Sequence, residues 1–133
     1  MDTTSALADL SEISSQIEAA VVFGPDGAVL GSTVSDEARS QRLARAALDL
    51  VAAAAKAGTP TGRRLTQIEV SLREGSVFVV SGEERGIAAA TTPEPTSGLV
   101  FYDLRTCLRS LENDADEPAA KPARRKKKDD DDA

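Results

Sequence analysis

The sequence contains no histidine and no tryptophan, only one cysteine, and few aromatic residues of any kind. Histidine most often moves protons near neutral pH and commonly binds zinc, so its absence argues against both kinds of site. The lone Cys107 can form no intramolecular disulfide or cysteine cluster, and we expect it to be a small buried residue. Because no nucleophile is paired with a base, we predict no enzyme and no cofactor.

Long hydrophobic runs are also missing. The longest apolar stretch, residues 50–55, falls far short of the roughly 20 residues that a membrane helix needs. The N-terminus has neither the positive charge nor the apolar segment of a signal peptide. These features predict a cytoplasmic protein without a membrane span. Its net charge of −6, with a mild acidic excess before the tail, argues against a nucleic-acid partner.

The composition changes abruptly near Glu112. A chain of 133 residues suggests one domain, and residues 113–133 contain no Leu, Ile, Val or aromatic side chain. We therefore predict a folded domain over residues 1–112 and a disordered charged tail over residues 113–133. The basic run Lys121–Lys128 is followed directly by Asp129–Asp132, which screens it. We expect a solubilising or weakly docking tail.

Hydrophobic periodicity and turn residues predict three helices and five strands in the folded part. Leu7, Leu10, Ile13 and Ile17 mark one face of a short first helix. A strand at 18–23, a Gly24–Gly27 turn and a strand at 28–33 follow. A long helix is predicted from an N-cap at Ser35 to Ala57, because Gly58 ends it. The remaining elements are strands near 68–73, 77–80 and 87–90 and a helix capped at Thr96 or Ser97.

Short connections between the strands indicate a mainly antiparallel sheet. Strands that are apolar on both faces, such as 77–80 and 87–90, must be covered on both faces. The sequence therefore predicts an α+β fold of order αββαβββα. Its five-stranded, mainly antiparallel sheet would lie between one long central helix and two terminal helices.

The long central helix has more apolar surface than one sheet needs. Its apolar arc spans roughly 160° at 100° per residue, whereas packing on a sheet needs a little over about 100°. Alanine could be there for helix propensity alone, but Leu48 and Val51 favour burial against a second copy. We predict a homodimer in which Ala44, Leu48, Val51 and Ala55 lie at the interface.

Two segments and the element order together resemble the Roadblock (dynein light chain) family. The segments are the hairpin AVVFGPDGAVLGS at residues 20–32 and the helix GLVFYDLR at residues 98–105. The resemblance implies a homodimer joined through the central helices and the third strands, which adds Ile68 and Val70 to the interface. It also implies a non-catalytic protein of the bacterial type that regulates or scaffolds a small Ras-like GTPase.

Three arginines, Arg39, Arg42 and Arg45, recur every three residues along the polar edge of the central helix. Arginine forms forked contacts with carboxylates at interfaces, so these residues are candidates for a partner-docking surface. The alternative is a solvated helix face in which Arg45 pairs with Asp49 one turn later. The spacing selects no arginine as a catalytic finger, and Gly58–Gly62 is expected to be a loop without phosphate-binding function.

Two other functions remain open on the sequence. A PAS-like or profilin-like sensor of small ligands would also place helices around an antiparallel sheet. The predicted core, however, lacks the aromatic and polar groups that usually line a ligand pocket. A general protein-interaction scaffold is the other alternative.

Overall fold

The computed structural model describes residues 2–57, 66–82 and 84–116. The elements in chain order are α1 (Thr3–Ile13), β1 (Ile17–Phe23), β2 (Val29–Ser32), α2 (Glu37–Ala57), β3 (Thr66–Ser71), β4 (Ser76–Ser81), β5 (Gly86–Thr91) and α3 (Ser97–Asp116). The predicted order αββαβββα is confirmed.

The strands form one five-stranded sheet in the order β2-β1-β5-β4-β3, and every neighbouring pair is antiparallel. β2 and β3 are therefore the two edges of the sheet. The β2 edge is irregular, because Val22 pairs with Gly31 while Phe23 pairs with Val29. Leu30 is the extra residue of this bulge, and its side chain is 48% exposed.

Each central strand contributes alternate side chains to two cores. One face, with Val22, Phe78 and Ile87, packs under α1 and α3. The other face, with Val21 and Val79, packs under α2. Because successive side chains of a strand point to opposite faces, a sheet covered on both sides reads as continuously apolar. The predicted arrangement, with one long helix on one face and two terminal helices on the other, is confirmed.

Short polar residues precede both α2 and α3 and cap them. The cap of α2 is one residue later than predicted. The Asp36 carboxylate accepts a hydrogen bond from the Arg39 amide at 3.3 Å, so Asp36 caps α2 in place of the predicted Ser35. A carboxylate at this position also interacts favourably with the helix dipole. The Thr96 carbonyl accepts from the Val100 amide at 3.0 Å, so Thr96, one of the two predicted residues, is the N-cap that precedes α3.

Two predicted boundaries shift. Ser14 leaves the helical conformation and ends α1, so Ile17 belongs to β1 and not to the face of the first helix. α3 continues to Asp116. Residues 113–116, predicted as the start of the tail, are therefore helical, because extending an existing helix gains one hydrogen bond per residue fixed. The rest of the predicted tail, 117–133, and the loop 58–62 lie outside the described residues.

Gly86, the first residue of β5, lies in a tightly packed part of the sheet. A Cβ atom on Gly86 would lie 2.6 Å from Cζ of Phe23 and 3.1 Å from the carbonyl oxygen of Val80. We expect Gly86→Ala to lower the free energy of unfolding by about 1–3 kcal/mol, because Phe23 is buried and has no free space to move into.

Gly98 in α3 provides the matched control, because a Cβ there would meet nothing within 4 Å. We expect Gly98→Ala to stabilise the protein by about 0.5 kcal/mol through helix propensity. Urea titrations of both variants measure the difference. Equal stabilities would contradict the close contact at Gly86.

Candidate functional site

The central helix α2 lies on the sheet along a line of small residues. Ser40, Ala44 and Ala47 are 3%, 0% and 0% exposed. The Ser40 hydroxyl is 2.7 Å from the Ser32 hydroxyl of β2, which ties the first turns of α2 to the edge of the sheet. Small side chains on this line let the helix axis approach the strands, so the larger apolar residues of α2 fall on its two flanks.

The position of this line corrects one of the predicted interface residues. Ala44 has no exposed surface, because it packs against the protomer's own sheet, so its prediction as an interface residue is wrong. Leu48 and Val51 are half-buried beside the same core, and Ala55 is exposed. Helical periodicity gave the width of the apolar arc correctly but could not tell which part of it meets the sheet.

The two flanks of α2 remain partly open. Leu43 and Leu50 lie half-buried on one flank, and Leu48 lies half-buried on the other. Farther along, residues 52–57 are exposed, and five of these six are alanine. The C-terminal half of α2 therefore presents a smooth, mostly apolar surface.

The edge strand β3 has one polar and one apolar face. On the polar face, Gln67 Oε1 accepts from Nη1 of Arg105 at 2.6 Å, and Glu69 Oε2 accepts from the Ser97 hydroxyl at 2.7 Å. These contacts hold β3 to α3. On the other face, Ile68 is half-buried in the core beneath α2 and Val70 is half-buried beside it. β3 pairs with β4 on one side only in the part of the chain that the structure describes.

Two of the three predicted docking arginines share one groove. Arg42 and Arg45 line an open groove of about 710 Å³ between α2 and the β1–β2 turn. The other residues that line it are Gly27, Ala28, Val29, Ala38, Gln41, Ala46 and Asp49. Arg39 is exposed outside this lining.

The β1–β2 turn forms the far wall of this groove and is held closely against α2. Gly27 has φ of 90°, a left-handed conformation that glycine adopts without steric cost. A Cβ atom there would lie 2.8 Å from Cδ1 of Leu48. The Asp26 carboxylate accepts from the Ala28 amide at 3.1 Å, which fixes the turn. The groove is thus built on two well-positioned elements.

A second, smaller cavity lies between α1 and α3. Its volume is about 200 Å³, and its lining includes the acidic residues Asp9, Glu12 and Asp103. The remaining lining residues are Ala6, Leu10, Ile13, Thr106, Cys107 and Ser110. Across residues 2–57, 66–82 and 84–116, no three acidic or cysteine side chains are grouped closely enough to hold a metal ion.

Cys107 at this cavity is a buried free thiol, as the sequence predicts. Its Sγ donates to the carbonyl oxygen of Ala6 at 3.6 Å. Burial, with a smaller contribution from the Asp9 carboxylate, raises the pKa of the Cys107 thiol to about 11. The thiolate, which is the nucleophilic form, is therefore scarce at neutral pH.

The Asp103 carboxyl group makes the stability of the folded protein depend on pH. Burial raises the pKa of the Asp103 carboxyl above its ordinary value of 3.8, although a hydrogen bond from Ser14 partly opposes this. The folded state therefore holds this proton more tightly than the unfolded state. It follows that Asp103 lowers stability progressively as the pH rises from about 3.8 through its raised pKa.

We expect Asp103→Asn to remove this slope. The variant should match the parent protein near pH 3, where the carboxyl is protonated in both states, and become relatively more stable toward pH 7. Melting temperatures measured from pH 3 to 7 test the expectation. A difference between the two proteins that does not change with pH would contradict it.

The architecture described above defines a class, the α+β domains with one antiparallel sheet between a long helix and a helix pair. The sequence model of the Roadblock/LC7 domain matches residues 5–92, and the chain belongs to this family. No curated protein matches the sequence. None of the helices in the described ranges is long and apolar enough to cross a membrane.

Solved structures with the same fold include a Roadblock/LC7 domain from Streptomyces avermitilis, with a TM-score of 0.75 and 21% identity over 86% of this chain and 98% of that chain. The gliding protein MglB from Thermus thermophilus has a TM-score of 0.69 and 15% identity over 84% and 86% of the two chains. A chain in the complex of LokiProfilin2 with rabbit actin has a TM-score of 0.56 and 13% identity over 83% and 94%. At these identities the likeness shows the fold alone.

Proposed function

We propose that the protein is a non-catalytic homodimeric module that regulates or scaffolds a small Ras-like GTPase in the cytoplasm. The observation that carries the proposal is the open apolar surface of α2 beside the edge strand β3, which pairs with β4 alone among the described residues, within a Roadblock/LC7 domain. A Roadblock resemblance of the bacterial type implies this function, and the likeness to MglB supports that type.

The proposed dimer uses the half-buried and exposed residues of these two elements: Leu48, Val51, Ala55, Ile68 and Val70. Two copies related by a twofold axis would pair their β3 edges and lay the C-terminal halves of α2 side by side. Within the described ranges the outer edge of β3 has no strand partner, so pairing would satisfy backbone groups that otherwise form a template for unspecific association. The exposed alanines of α2 would let the two helices approach closely, because small side chains keep the surface flat.

Ala55 offers the sharpest test of this interface, because its side chain is exposed in the protomer. We expect Ala55→Lys to raise the dimer dissociation constant about tenfold or more, because an ammonium group would have to leave water. Sedimentation velocity over a concentration series measures the change.

Ala8→Lys is the matched control, since Ala8 is an exposed alanine of α1 on the opposite face of the sheet. This variant should sediment like the parent protein. A monomeric parent, or equal effects of both substitutions, would count against the proposed interface.

The proposed docking site for the GTPase is the groove that Arg42 and Arg45 line. A guanidinium group can form two parallel hydrogen bonds with a carboxylate, so the two arginines favour an acidic segment of the partner. In a dimer the groove occurs twice, which offers two equivalent docking sites. Asp49 also lines the groove and lies one turn after Arg45, so it can orient that arginine.

The position of the groove predicts that the three arginines contribute differently to GTPase affinity. We expect Arg42→Ala with Arg45→Ala to weaken GTPase binding about tenfold or more, because two charge-assisted contacts are lost. Arg39→Ala should change the affinity much less, because Arg39 lies outside the groove.

The small Ras-like GTPases of the source genome, each loaded with GDP or a non-hydrolysable GTP analogue, are titrated by calorimetry. An equal loss with Arg39→Ala would mean that the whole arginine edge acts nonspecifically. Unchanged binding by the double variant would exclude the groove.

The small-ligand sensor receives little support from the α1–α3 cavity. Pockets for drug-sized ligands usually measure about 300–1,000 Å³ and are mostly apolar. The cavity between α1 and α3 is about 200 Å³ and has three carboxyl groups in its lining.

A further inference from the structure

The backbone groups of β3 limit how a second copy of the chain can pair with it in the proposed dimer, on which this inference rests. Leu72, directly after β3, donates its amide to the Gly75 carbonyl and accepts from the Gly75 amide, so its backbone groups point toward β4. Backbone groups alternate in direction along a strand, so those of the even-numbered residues of β3 also point toward β4. The backbone groups of Gln67 and Glu69 therefore face outward, where a partner strand would lie.

The two faces of β3 limit the alignment further. Gln67 and Glu69 lie on the face toward α3, and Ile68 and Val70 lie on the face toward α2. Residues directly opposite each other in an antiparallel pair share a face, so a shift by one residue would set apolar side chains against the polar face. A twofold axis must therefore place one residue opposite its own copy. The candidates for this central position are Gln67, Ile68, Glu69 and Val70.

Strand length and charge select one of these centres. β3 has six residues, so a centre at Gln67 or Val70 would leave half of the strand unpaired. A centre at Ile68 or Glu69 pairs all of its residues but one. A centre at Glu69, however, would place two carboxylates directly opposite each other, which is destabilising. The alignment that remains sets Ile68 opposite its own copy.

We propose that Arg105 of α3 binds Glu69 of the partner subunit across a dimer in which β3 pairs with its copy about Ile68. In this alignment Gln67 lies directly opposite the partner's Glu69. Nη1 of Arg105 donates to Gln67 Oε1 at 2.6 Å, so the guanidinium group is already held at β3 on the face toward α3. Opposite Cβ atoms are about 4.5–5.5 Å apart, and a guanidinium group has five N–H donors, so Arg105 can contact both side chains.

Charge complementarity supports this contact. The Gln67 amide that Arg105 contacts within its own protomer is uncharged, so the partner's carboxylate supplies the opposite charge. Glu69 accepts from the Ser97 hydroxyl at 2.7 Å through Oε2. A carboxylate has about four acceptor sites, so Glu69 can keep this hydrogen bond and also accept from the partner's Arg105. Twofold symmetry makes the ion pair twice in each dimer.

Single cysteines test the alignment. A disulfide needs Cα atoms about 4.4–6.8 Å apart, and directly opposite residues of antiparallel strands are about 4.5–5.5 Å apart. We expect Ile68→Cys to form a covalent dimer under mild oxidation, measured by non-reducing gel electrophoresis. Gln67→Cys and Glu69→Cys should each form little covalent dimer alone, but the two variants should crosslink with each other when they are mixed.

The parent protein is the control, because its Cys107 is buried. Self-crosslinking of Gln67→Cys or Glu69→Cys in place of Ile68→Cys would show another alignment and overturn the proposal, whereas the proposed dimer would stand. The same conclusion would follow if none of the three variants crosslinked while the parent sedimented as a dimer. A parent that sediments as a monomer would overturn both the dimer and this inference.

Charge exchange tests the ion pair separately from the alignment. We expect Arg105→Glu and Glu69→Arg each to raise the dimer dissociation constant about tenfold or more, because like charges would face each other twice in the dimer. The double variant should recover most of the affinity, because it restores opposite charges across the interface. Sedimentation velocity over a concentration series at low salt measures the three constants.

Arg39→Glu is the matched control, since Arg39 is an exposed arginine of α2, near the end of that helix that is tied to β2. This variant should sediment like the parent protein. A double variant that dimerises as weakly as the single variants would overturn the ion pair, as would single variants that dimerise like the parent. Circular dichroism measures whether each variant is folded.

Discussion

The close approach of α2 to the sheet is the constraint on which the rest of the structure depends. Ala44 and Ala47 of the helix pack on strands that are themselves rich in alanine, such as Ala88 of β5. Because these side chains are small, the helix covers the middle of the sheet with little volume. Its leucines are displaced to the flanks, where they stay half-buried. The open apolar surface of α2 is thus a direct result of the small residues beneath it.

This constraint also explains what the sequence could and could not predict. The element order and both covered faces of the sheet follow from local periodicity, which depends only on neighbouring residues. The orientation of α2 about its own axis does not, because both flanks of its apolar arc look equivalent along the helix. Ala44 was assigned to the wrong surface for this reason. The regular spacing of three residues also grouped Arg39 with Arg42 and Arg45 in the sequence prediction. Only Arg42 and Arg45 line the groove in the structure.

The α1–α3 cavity could not be predicted from the sequence at all. Asp9 and Glu12 look like ordinary exposed residues of a short helix, and Asp103 looks like a polar residue inside an apolar one. Their proximity depends on the packing of two helices that are separated by most of the chain. The only local signal was the unusual position of Asp103 between Val100 and Leu104, two residues of the core.

Two arginines line the groove beside α2, and three carboxyl groups line the cavity between α1 and α3 on the other face of the sheet. The two edges differ as well. β3 is a regular six-residue strand, whereas β2 has four residues and a bulge at Leu30. An assembly that grew through both edges would have no natural end and would become a fibre. The distorted β2 edge blocks growth in that direction, so any sheet extended through β3 stops after a single addition.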